Sequence, residues 1–271
     1  MKQFDLTRDY HSYANSHEVK VTHFDLALAI SFERKNLSGY VNLTIEHQEA
    51  RLAKKLILDT RDLTIERIEN SQGQALSYQS AQADDILGSR LTIDLIADDA
   101  AVKIYYQTSP KAEGLQWLTP AQTSGKKLPY LFSQSQPINA RSWIPLQDSP
   151  KARVTFNANI TAPTELRVVM SAENNADVEL NGAFTFRMTE AIPTHLLAIA
   201  CGDLAFEAIG SRSGVYTEPS MLTACAKEFE DTEQMIEIAE SLLGPYRWGR
   251  YDMIVLPPSF PFGGMENPRL A

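Results

Sequence analysis

Apolar and polar residues alternate along most of the first two hundred residues, which is the pattern of half-buried β-strands. The clearest run is residues 24–32, in which every second residue is apolar and those between are small or polar. Residues 36–39 supply a turn and residues 41–45 resume the alternation, so an antiparallel hairpin is expected. Further strands are expected at residues 56–58, 63–68, 91–96, 102–107, 154–160, 166–171, 184–188 and 196–200. Short strands between polar turns predict a β-sandwich or a large twisted sheet.

A helical period replaces the alternation in the last quarter of the chain. Over residues 224–243, apolar residues recur at steps of three and four while acidic residues largely fill the other faces. Gly244-Pro245 is a stop signal for this helix. Residues 251–256 indicate one more strand, before a segment rich in glycine and proline. We therefore predict a complete N-terminal β domain over residues 1–207 and the first part of a second, incomplete domain over residues 208–271.

Composition and charge indicate an ordinary globular protein. Of the 271 residues, 44% are hydrophobic and 22% are charged, which argues against disorder. The 34 acidic and 25 basic residues give a formal charge of −9, which disfavours non-specific binding to nucleic acid or anionic membranes. The longest apolar run, residues 196–201, is far shorter than the ~20 residues of a membrane helix. We therefore expect neither a nucleic-acid partner nor a membrane partner.

The two cysteines, Cys201 and Cys225, are too few for a disulfide framework, so reduced thiols in a cytosolic protein are the simplest account. We expect both to be buried structural thiols, Cys201 in an apolar strand and Cys225 near the start of a helix. Residues 1–5 show no apolar core of a signal peptide. The expected location is cytoplasmic, or periplasmic if a leader was removed.

The common catalytic motifs are absent from this sequence. It contains no His-Glu-x-x-His pair, the helical spacing that places two imidazoles on one face to bind zinc. None of the five histidines stands three to five residues from another, and we expect His195 to be a packed strand residue. Neither a Gly-x-Ser-x-Gly elbow nor a glycine-rich phosphate loop occurs. We therefore assign no catalytic residue and no metal ligand within this chain.

One segment near the C-terminus, residues 261–268 (PFGGMENP), carries distinctive chemistry. Gly263 and Gly264 expose backbone N–H and C=O groups without a side chain in the way, so another backbone can approach closely. Glu266 can accept hydrogen bonds from an ammonium group. These features suit recognition of a peptide's free N-terminus, with edge-strand pairing along the glycines and charge capture by the glutamate. From the bare spacing alone, a Gly-Pro-rich surface loop with a solvated glutamate is the favoured interpretation, because short motifs give many false positives.

Residues 256–267 (LPPSFPFGGMEN) resemble the exopeptidase signature of the gluzincin aminopeptidases, and among these they look closest to the leukotriene A hydrolase and aminopeptidase B subgroup. Residues 244–252 (GPYRWGRYD) look like that subgroup's approach to the signature. Residues 129–136 (PYLFSQSQ) resemble the segment of its N-terminal domain that touches the active site. Arg141 and Asp148, which follow this segment, we interpret as structural residues that fix the loop.

The resemblance implies a role for each matching position. Glu266 would bind the α-ammonium group of a peptide substrate, and Gly263 and Gly264 would orient the scissile peptide through backbone hydrogen bonds. Gln136 would stand beside the amine pocket, with Gln134 a weaker candidate, because a neutral glutamine accepts from an ammonium without the cost of burying a second carboxylate. The candidate substrate-binding residues are Gln134, Gln136, Gly263, Gly264, Met265, Glu266 and Asn267.

The resemblance also implies a fold and a cofactor. An antiparallel β-sandwich or saddle-like domain would be followed by the start of a thermolysin-like α+β catalytic domain. In the family, the zinc-binding helix, the third ligand, the catalytic glutamate and a transition-state tyrosine follow the signature, and a zinc-activated water attacks the first peptide bond. Zinc is therefore expected in the complete enzyme, with no ligand in this chain. Phe262 replaces a tyrosine of the leukotriene-hydrolase relatives, which argues against their epoxide hydrolase activity here.

Two hypotheses about function follow. In the first, the chain is the N-terminal fragment of a zinc metallo-aminopeptidase that removes N-terminal residues from peptides, and it is inactive without the zinc-bearing domain that would be its partner. In the second, it is a non-catalytic β-sandwich module that binds peptides or another protein. The coding sequence beyond residue 271 distinguishes the two.

Overall fold

The computed structural model of the chain describes residues 9–48, 54–96 and 99–271, so residues 1–5, which bear on the expected location, lie outside it. The first group of elements is β1 (Val19–Ser31), β2 (Asn36–His47), β3 (Lys55–Thr60), β4 (Thr64–Asn70), β5 (Tyr78–Ser80), β6 (Ser89–Asp94), β7 (Ala101–Gln107), β8 (Leu115–Leu118), β9 (Tyr130–Ser133), β10 (Arg153–Thr161), β11 (Arg167–Met170), β12 (Ala183–Pro193) and β13 (Ile199–Gly202). The second group is β14 (Ala205–Ala208), β15 (Ser213–Thr217), α1 (Leu222–Glu228), α2 (Thr232–Leu243) and β16 (Tyr251–Ile254). The prediction of a mainly β chain is confirmed.

The largest sheet has six strands in the order β12-β10-β1-β2-β7-β4. Its neighbouring strands run antiparallel, except β1 and β10, which run parallel. The sheets β11-β13-β9-β8 and β3-β6-β5 are antiparallel throughout. In the sheet β14-β15-β16, the last two strands are parallel, a pairing that needs a crossover, and α1 and α2 provide it.

A single hydrophobic core joins the first three sheets. Phe24 and Leu26 of β1 point into it and are each 1% exposed, and Phe24 stacks on Phe156 of β10 with 5.1 Å between ring centroids. The same core contains Leu58 of β3 and Leu131 of β9. Because three sheets bury their apolar faces against one another, this part of the chain has the layered packing of a β-sandwich.

The hairpin of β1 and β2 is confirmed, but the predicted turn at residues 36–39 is wrong. The turn lies at residues 32–35, where Lys35 has a φ of 51°. Gly39 lies inside β2, where an added Cβ would stand 2.0 Å from the carbonyl oxygen of Ala27. This glycine therefore allows two backbones to approach closely, a requirement that sequence alone does not separate from a turn.

The strand predicted at residues 196–200 is displaced toward the C-terminus and begins at Ile199. A short 3₁₀ turn over Thr194–Leu196 precedes it, and the Thr194 hydroxyl donates to Asp148 Oδ1 at 2.9 Å. His195 lies in this turn and is half-buried, so its placement in a strand is wrong. Strands β9 and β15 are buried on both faces and show no alternation, which is why the pattern did not reveal them.

The single helix predicted over residues 224–243 is two helices, α1 and α2. The break precedes Thr232, whose hydroxyl donates to the carbonyl of Phe229 at 2.7 Å and begins the second helix. Gly244 ends α2 with a φ of 89°, as its sequence signal indicates. Neither helix approaches the length and apolarity needed to cross a lipid bilayer, and no other helix does in the described ranges.

Both cysteines are buried and unbridged, Cys201 in β13 and Cys225 in α1, as the sequence predicts. The proposed domain boundary at residue 207 falls within β14, which pairs with β15. The division of the chain into residues 1–207 and 208–271 stays a prediction.

Candidate functional site

A cavity of about 660 Å³ lies where the segment after β16 passes over β9 and β13. Phe132 and Ser133 of β9 and Ile199 of β13 form one side of it. The other side comes from residues 253–258 and from the segment 260–267, which contains the Gly-Gly-Met-Glu-Asn sequence. The β domain and the predicted substrate-binding segment thus face each other across one cavity.

Apolar side chains anchor this segment on both sides of its glycines. The Phe260 ring meets Phe132 edge to face, with 5.6 Å between centroids. Met265 is 9% exposed, and Leu270 is 1% exposed in a cluster that also contains Tyr130 and Phe132. These contacts hold the segment against β9, while Phe262 is 55% exposed.

Gly263 and Gly264 lie in open space. No heavy atom lies within 4 Å of the position that a Cβ would occupy at either residue. Within the described part of the chain, no backbone N–H between residues 262 and 266 donates a hydrogen bond. The segment forms no strand there. The strand partner expected along the glycines would therefore have to be a bound ligand.

Glu266 is exposed, lines the cavity, and has no hydrogen bond or ion pair among the described residues. Asn267 also lines the cavity and is half-buried, and its carbonyl oxygen accepts the Leu270 N–H at 3.1 Å. The cavity therefore offers an unpartnered carboxylate within three residues of unobstructed backbone. That arrangement can bind a group that combines a positive charge with peptide donors and acceptors.

Gln134 and Gln136 lie just beyond β9, next to the cavity wall but outside it. Gln134 donates its backbone N–H to Gly114 O at 2.9 Å, and its side-chain Oε1 accepts the Gln136 N–H at 3.0 Å. Gln136 is exposed. The structure thus gathers five of the seven candidate residues around the cavity, and it leaves these two glutamines on the adjoining loop.

Arg141 and Asp148, interpreted from sequence as structural, form the centre of a buried network. Arg141 Nε donates to Asp148 Oδ2 at 3.1 Å, and both side chains are almost fully buried. Asp59, which sequence reasoning missed, completes the network, with Oδ1 at 3.8 Å from Arg141 Nη1. Its only sequence signal is an acidic residue at the end of the apolar run 56–58, because its partners Arg141 and Asp148 lie more than eighty residues away.

Burial raises the pKa of Asp59 and of Asp148, although Arg141 acts in the opposite direction on each. These carboxylates are satisfied inside the protein: Asp59 accepts the Tyr13 N–H at 2.7 Å and the Asp148 N–H at 2.9 Å. The network fixes the base of the loop that carries the two glutamines, and it does not face the cavity.

A second buried carboxylate missed from sequence joins the two halves of the chain. Glu218, 5% exposed, accepts the backbone N–H groups of Ser124 and Gly125, both at 2.8 Å. Because these partners lie more than ninety residues upstream, no local pattern could have revealed the contact. It ties the end of β15 to the loop that precedes β9.

The described residues contain no group of three or more histidine, cysteine, aspartate or glutamate side chains able to hold a metal ion. A zinc ion in a peptidase site needs three protein ligands. The part of the chain that the structure describes therefore does not fit a zinc site.

Comparison with known proteins supplies the context for this geometry. The family model described as the Peptidase M1 N-terminal domain matches residues 20–241. The chain is 42% identical over 269 residues to leucine aminopeptidase 2 of Yarrowia lipolytica, an alignment that covers 97% of the chain and 40% of that protein. It is 37% identical over 272 residues to leukotriene A-4 hydrolase of Xenopus laevis, covering 97% and 44% respectively. The chain thus spans less than half the length of these relatives.

Solved structures of related proteins share the fold of this chain. The native yeast LTA4 hydrolase superposes with a TM-score of 0.91 at 37% identity, over 100% of this chain and 43% of that one. The M1 zinc metallopeptidase from Deinococcus radiodurans superposes with a TM-score of 0.69 at 19% identity, over 91% and 59%, a likeness that concerns the fold alone. The predicted fold class, a β domain followed by the start of an α+β domain, is confirmed.

Proposed function

Because this chain belongs to the M1 peptidase family, we propose that it is the N-terminal part of a zinc metallo-aminopeptidase that releases N-terminal residues from peptides. The observation that carries the proposal is the unpartnered carboxylate of Glu266 in the cavity, beside the unobstructed backbone of Gly263 and Gly264. Its substrates are peptides with a free N-terminus.

Each group of the segment has a separate task in this proposal. The Glu266 carboxylate binds the substrate's α-ammonium group, a contact worth ~1.5–3 kcal/mol once substrate has displaced water from it. The backbone of Gly263 and Gly264 pairs with the first peptide unit of the substrate and orients it. Met265 and Asn267 support these residues from the cavity wall.

Gln136 is proposed as a second acceptor for the ammonium group, with Gln134 as its support. The Gln136 side chain is exposed and makes no hydrogen bond among the described residues, so rotation about its side-chain torsions costs little. The Gln134 side chain already holds the Gln136 backbone N–H. Substrate binding would turn the amide of Gln136 toward the amine.

The zinc and the hydrolytic groups are assigned to a further part of a longer polypeptide, since the described residues do not fit a zinc site. The proposal therefore routes no chemical step through this chain. We expect the 271-residue chain to bind no stoichiometric zinc and to hydrolyse no aminoacyl anilide. Turnover by a metal-free sample of this chain would contradict the assignment.

The test is the Glu266→Ala substitution in the complete enzyme, assayed on an aminoacyl anilide with a free amine. Loss of the charged contact should lower kcat/KM by about 10- to 150-fold, which corresponds to ~1.5–3 kcal/mol, with zinc content unchanged. Glu230→Ala is the matched control, because Glu230 is exposed, pairs with Lys227 and does not line the cavity. Loss of zinc in Glu266→Ala, or unaltered kinetics, would remove Glu266 from the proposed role.

The competing function, a non-catalytic module that binds peptides or proteins, agrees equally with the absence of a metal-ligand group from the described residues. The coding sequence downstream of residue 271 decides between the two. A downstream zinc motif supports the peptidase, whereas a stop codon directly after Ala271 supports the module.

A further inference from the structure

Arg269 occupies a turn position that usually holds glycine or asparagine. The turn runs from Asn267 to Leu270 and is closed by the Leu270 N–H, which donates to Asn267 O at 3.1 Å. Pro268 is its second residue and Arg269 its third, with a φ of 64°, the arrangement of a type II turn. An arginine backbone rarely adopts this conformation, so the side chain is expected to supply a compensating interaction.

The side chain does so by reaching across to the β domain. Its Nη1 lies 3.1 Å from Glu173 Oε1, in the loop after β11, and its Nη2 lies 3.1 Å from Glu190 Oε2 on β12. Only 11% of the Arg269 side chain is exposed. A single guanidinium thus joins the end of the Gly-Gly-Met-Glu-Asn segment to two separate carboxylates of the β domain.

The segment depends on its ends for its position. Between residues 262 and 266 no backbone N–H is bonded within the described chain, so neighbouring strands do not hold it. Before the glycines, Phe260 packs on Phe132. On either side of Glu266, Met265 and Leu270 make non-directional apolar contacts. Further on, Ala271 makes two backbone hydrogen bonds with β16, and the planar, two-sided pairing of Arg269 is a directional side-chain contact.

We propose that Arg269 is a positioning residue for the amine site: its pairing with Glu173 and Glu190 holds Glu266 and the two glycines at the cavity. This inference rests on the proposed function of Glu266. Removing the pairing would leave the segment attached by apolar contacts and by the backbone hydrogen bonds that Ala271 makes with β16, and the carboxylate would sample positions from which it cannot meet the substrate amine.

The first experiment measures the segment's docking in the 271-residue chain, independently of any activity. Arg269→Asn keeps a residue suited to the turn but removes the charge, and Arg269→Gly is a second variant of the same kind. The readout is hydrogen exchange at two amides that report docking, Leu270 N–H and Ile254 N–H, the latter donating to Ala271 O at 2.8 Å. Both variants should exchange severalfold faster at these amides, while exchange in β1 stays unchanged.

Arg67→Gln is the matched control for that measurement, because Arg67 pairs with Glu69 on β4, the edge strand of the six-stranded sheet opposite β12. It should leave Leu270 and Ile254 at their original rates. Arg269→Lys, which retains the positive charge, should restore part of the protection of these amides from exchange. If Arg269→Asn and Arg269→Gly exchange at the original rates, the pairing does not hold the segment and the proposal fails.

The second experiment uses the complete enzyme and separates KM from kcat. If Arg269 positions the group that binds the amine, Arg269→Asn should raise KM about tenfold with kcat within twofold, and Arg269→Lys should recover part of the loss. A fall in kcat at constant KM, or no change, would overturn the positioning role. If Glu266→Ala itself leaves the kinetics unaltered, the proposed function fails. The hydrogen-exchange experiment would still test whether the pairing of Arg269 with Glu173 and Glu190 holds the segment in place.

Discussion

Replacing Arg141 by methionine should destabilise the protein through two buried carboxylates rather than through lost volume. The Arg141 side chain is 0% exposed and lies between Asp59 and Asp148, which are 0% and 1% exposed. Its Nη1 also donates to Leu87 O at 2.8 Å, and its Nη2 donates to His11 O at 2.7 Å. Methionine keeps most of the apolar stem, so the main loss is the charge and its hydrogen bonds.

The expected cost follows from the burial of the pair. Removing one partner of a buried ion pair costs about 3–5 kcal/mol, because the other charge stays buried and uncompensated. Domains of this size are stable by about 5–15 kcal/mol. Arg141→Met should therefore lose a large fraction of its free energy of unfolding at neutral pH and still fold at low temperature.

The deficit should depend on pH with a definite sign. Burial already raises the pKa of Asp59 and Asp148 above the ordinary aspartate value, and Arg141 opposes that rise. Without Arg141 the pKa of each carboxyl rises further in the folded state, so the folded variant binds protons more tightly than the unfolded chain. The deficit is then fully present above the raised pKa values and shrinks as the pH falls toward ~4, the ordinary aspartate value.

The assay is urea denaturation followed by circular dichroism, at pH 7.5 and at pH 5. Arg67→Met is the control, because its pair with Glu69 is partly exposed and should cost no more than ~1 kcal/mol. Adding Asp148→Asn to Arg141→Met should recover part of the loss, since it removes one unpaired charge. A deficit below ~1 kcal/mol, or one equal at both pH values, would refute this reasoning.

Two further outcomes are expected from the structure. Gly39→Ala should destabilise the protein by about 2 kcal/mol or more, since the added Cβ would lie 2.0 Å from Ala27 O. Gly73→Ala, with open space at its Cβ position, should cost ~1 kcal/mol from backbone strain alone. Equal losses of unfolding free energy in urea titrations of the two variants would show that the close contact at Gly39 is relieved. Burial raises the pKa of the Cys201 thiol well above its ordinary value. In the Cys225→Ser variant, which leaves Cys201 as the one thiol, a thiol reagent at pH 8 should therefore label the protein only after unfolding. Rapid labelling of the native variant would contradict the burial of Cys201.

The alternation of residues was enough to predict the sandwich because period-two burial is a local property of each strand. It correctly located β1, whose alternate side chains are buried, and it failed at β9 and β15, where both faces are buried and no period exists. Gly39 was mistaken for a turn residue because a glycine needed for close backbone approach and a glycine needed for a turn look the same in sequence.

The candidate site divides in the same way. The sequence by itself was enough to propose the substrate-binding segment, since Gly263, Gly264 and Glu266 are neighbours in the chain and their chemistry is local. Only the tertiary structure decided what faces them: the cavity wall of β9 and β13, the exposed position of Gln136, and the pairing of Arg269 with Glu173. The cavity wall and the Arg269 pairing join residues more than sixty positions apart. They exist only because packing of the β domain brings those residues together, which no local pattern encodes.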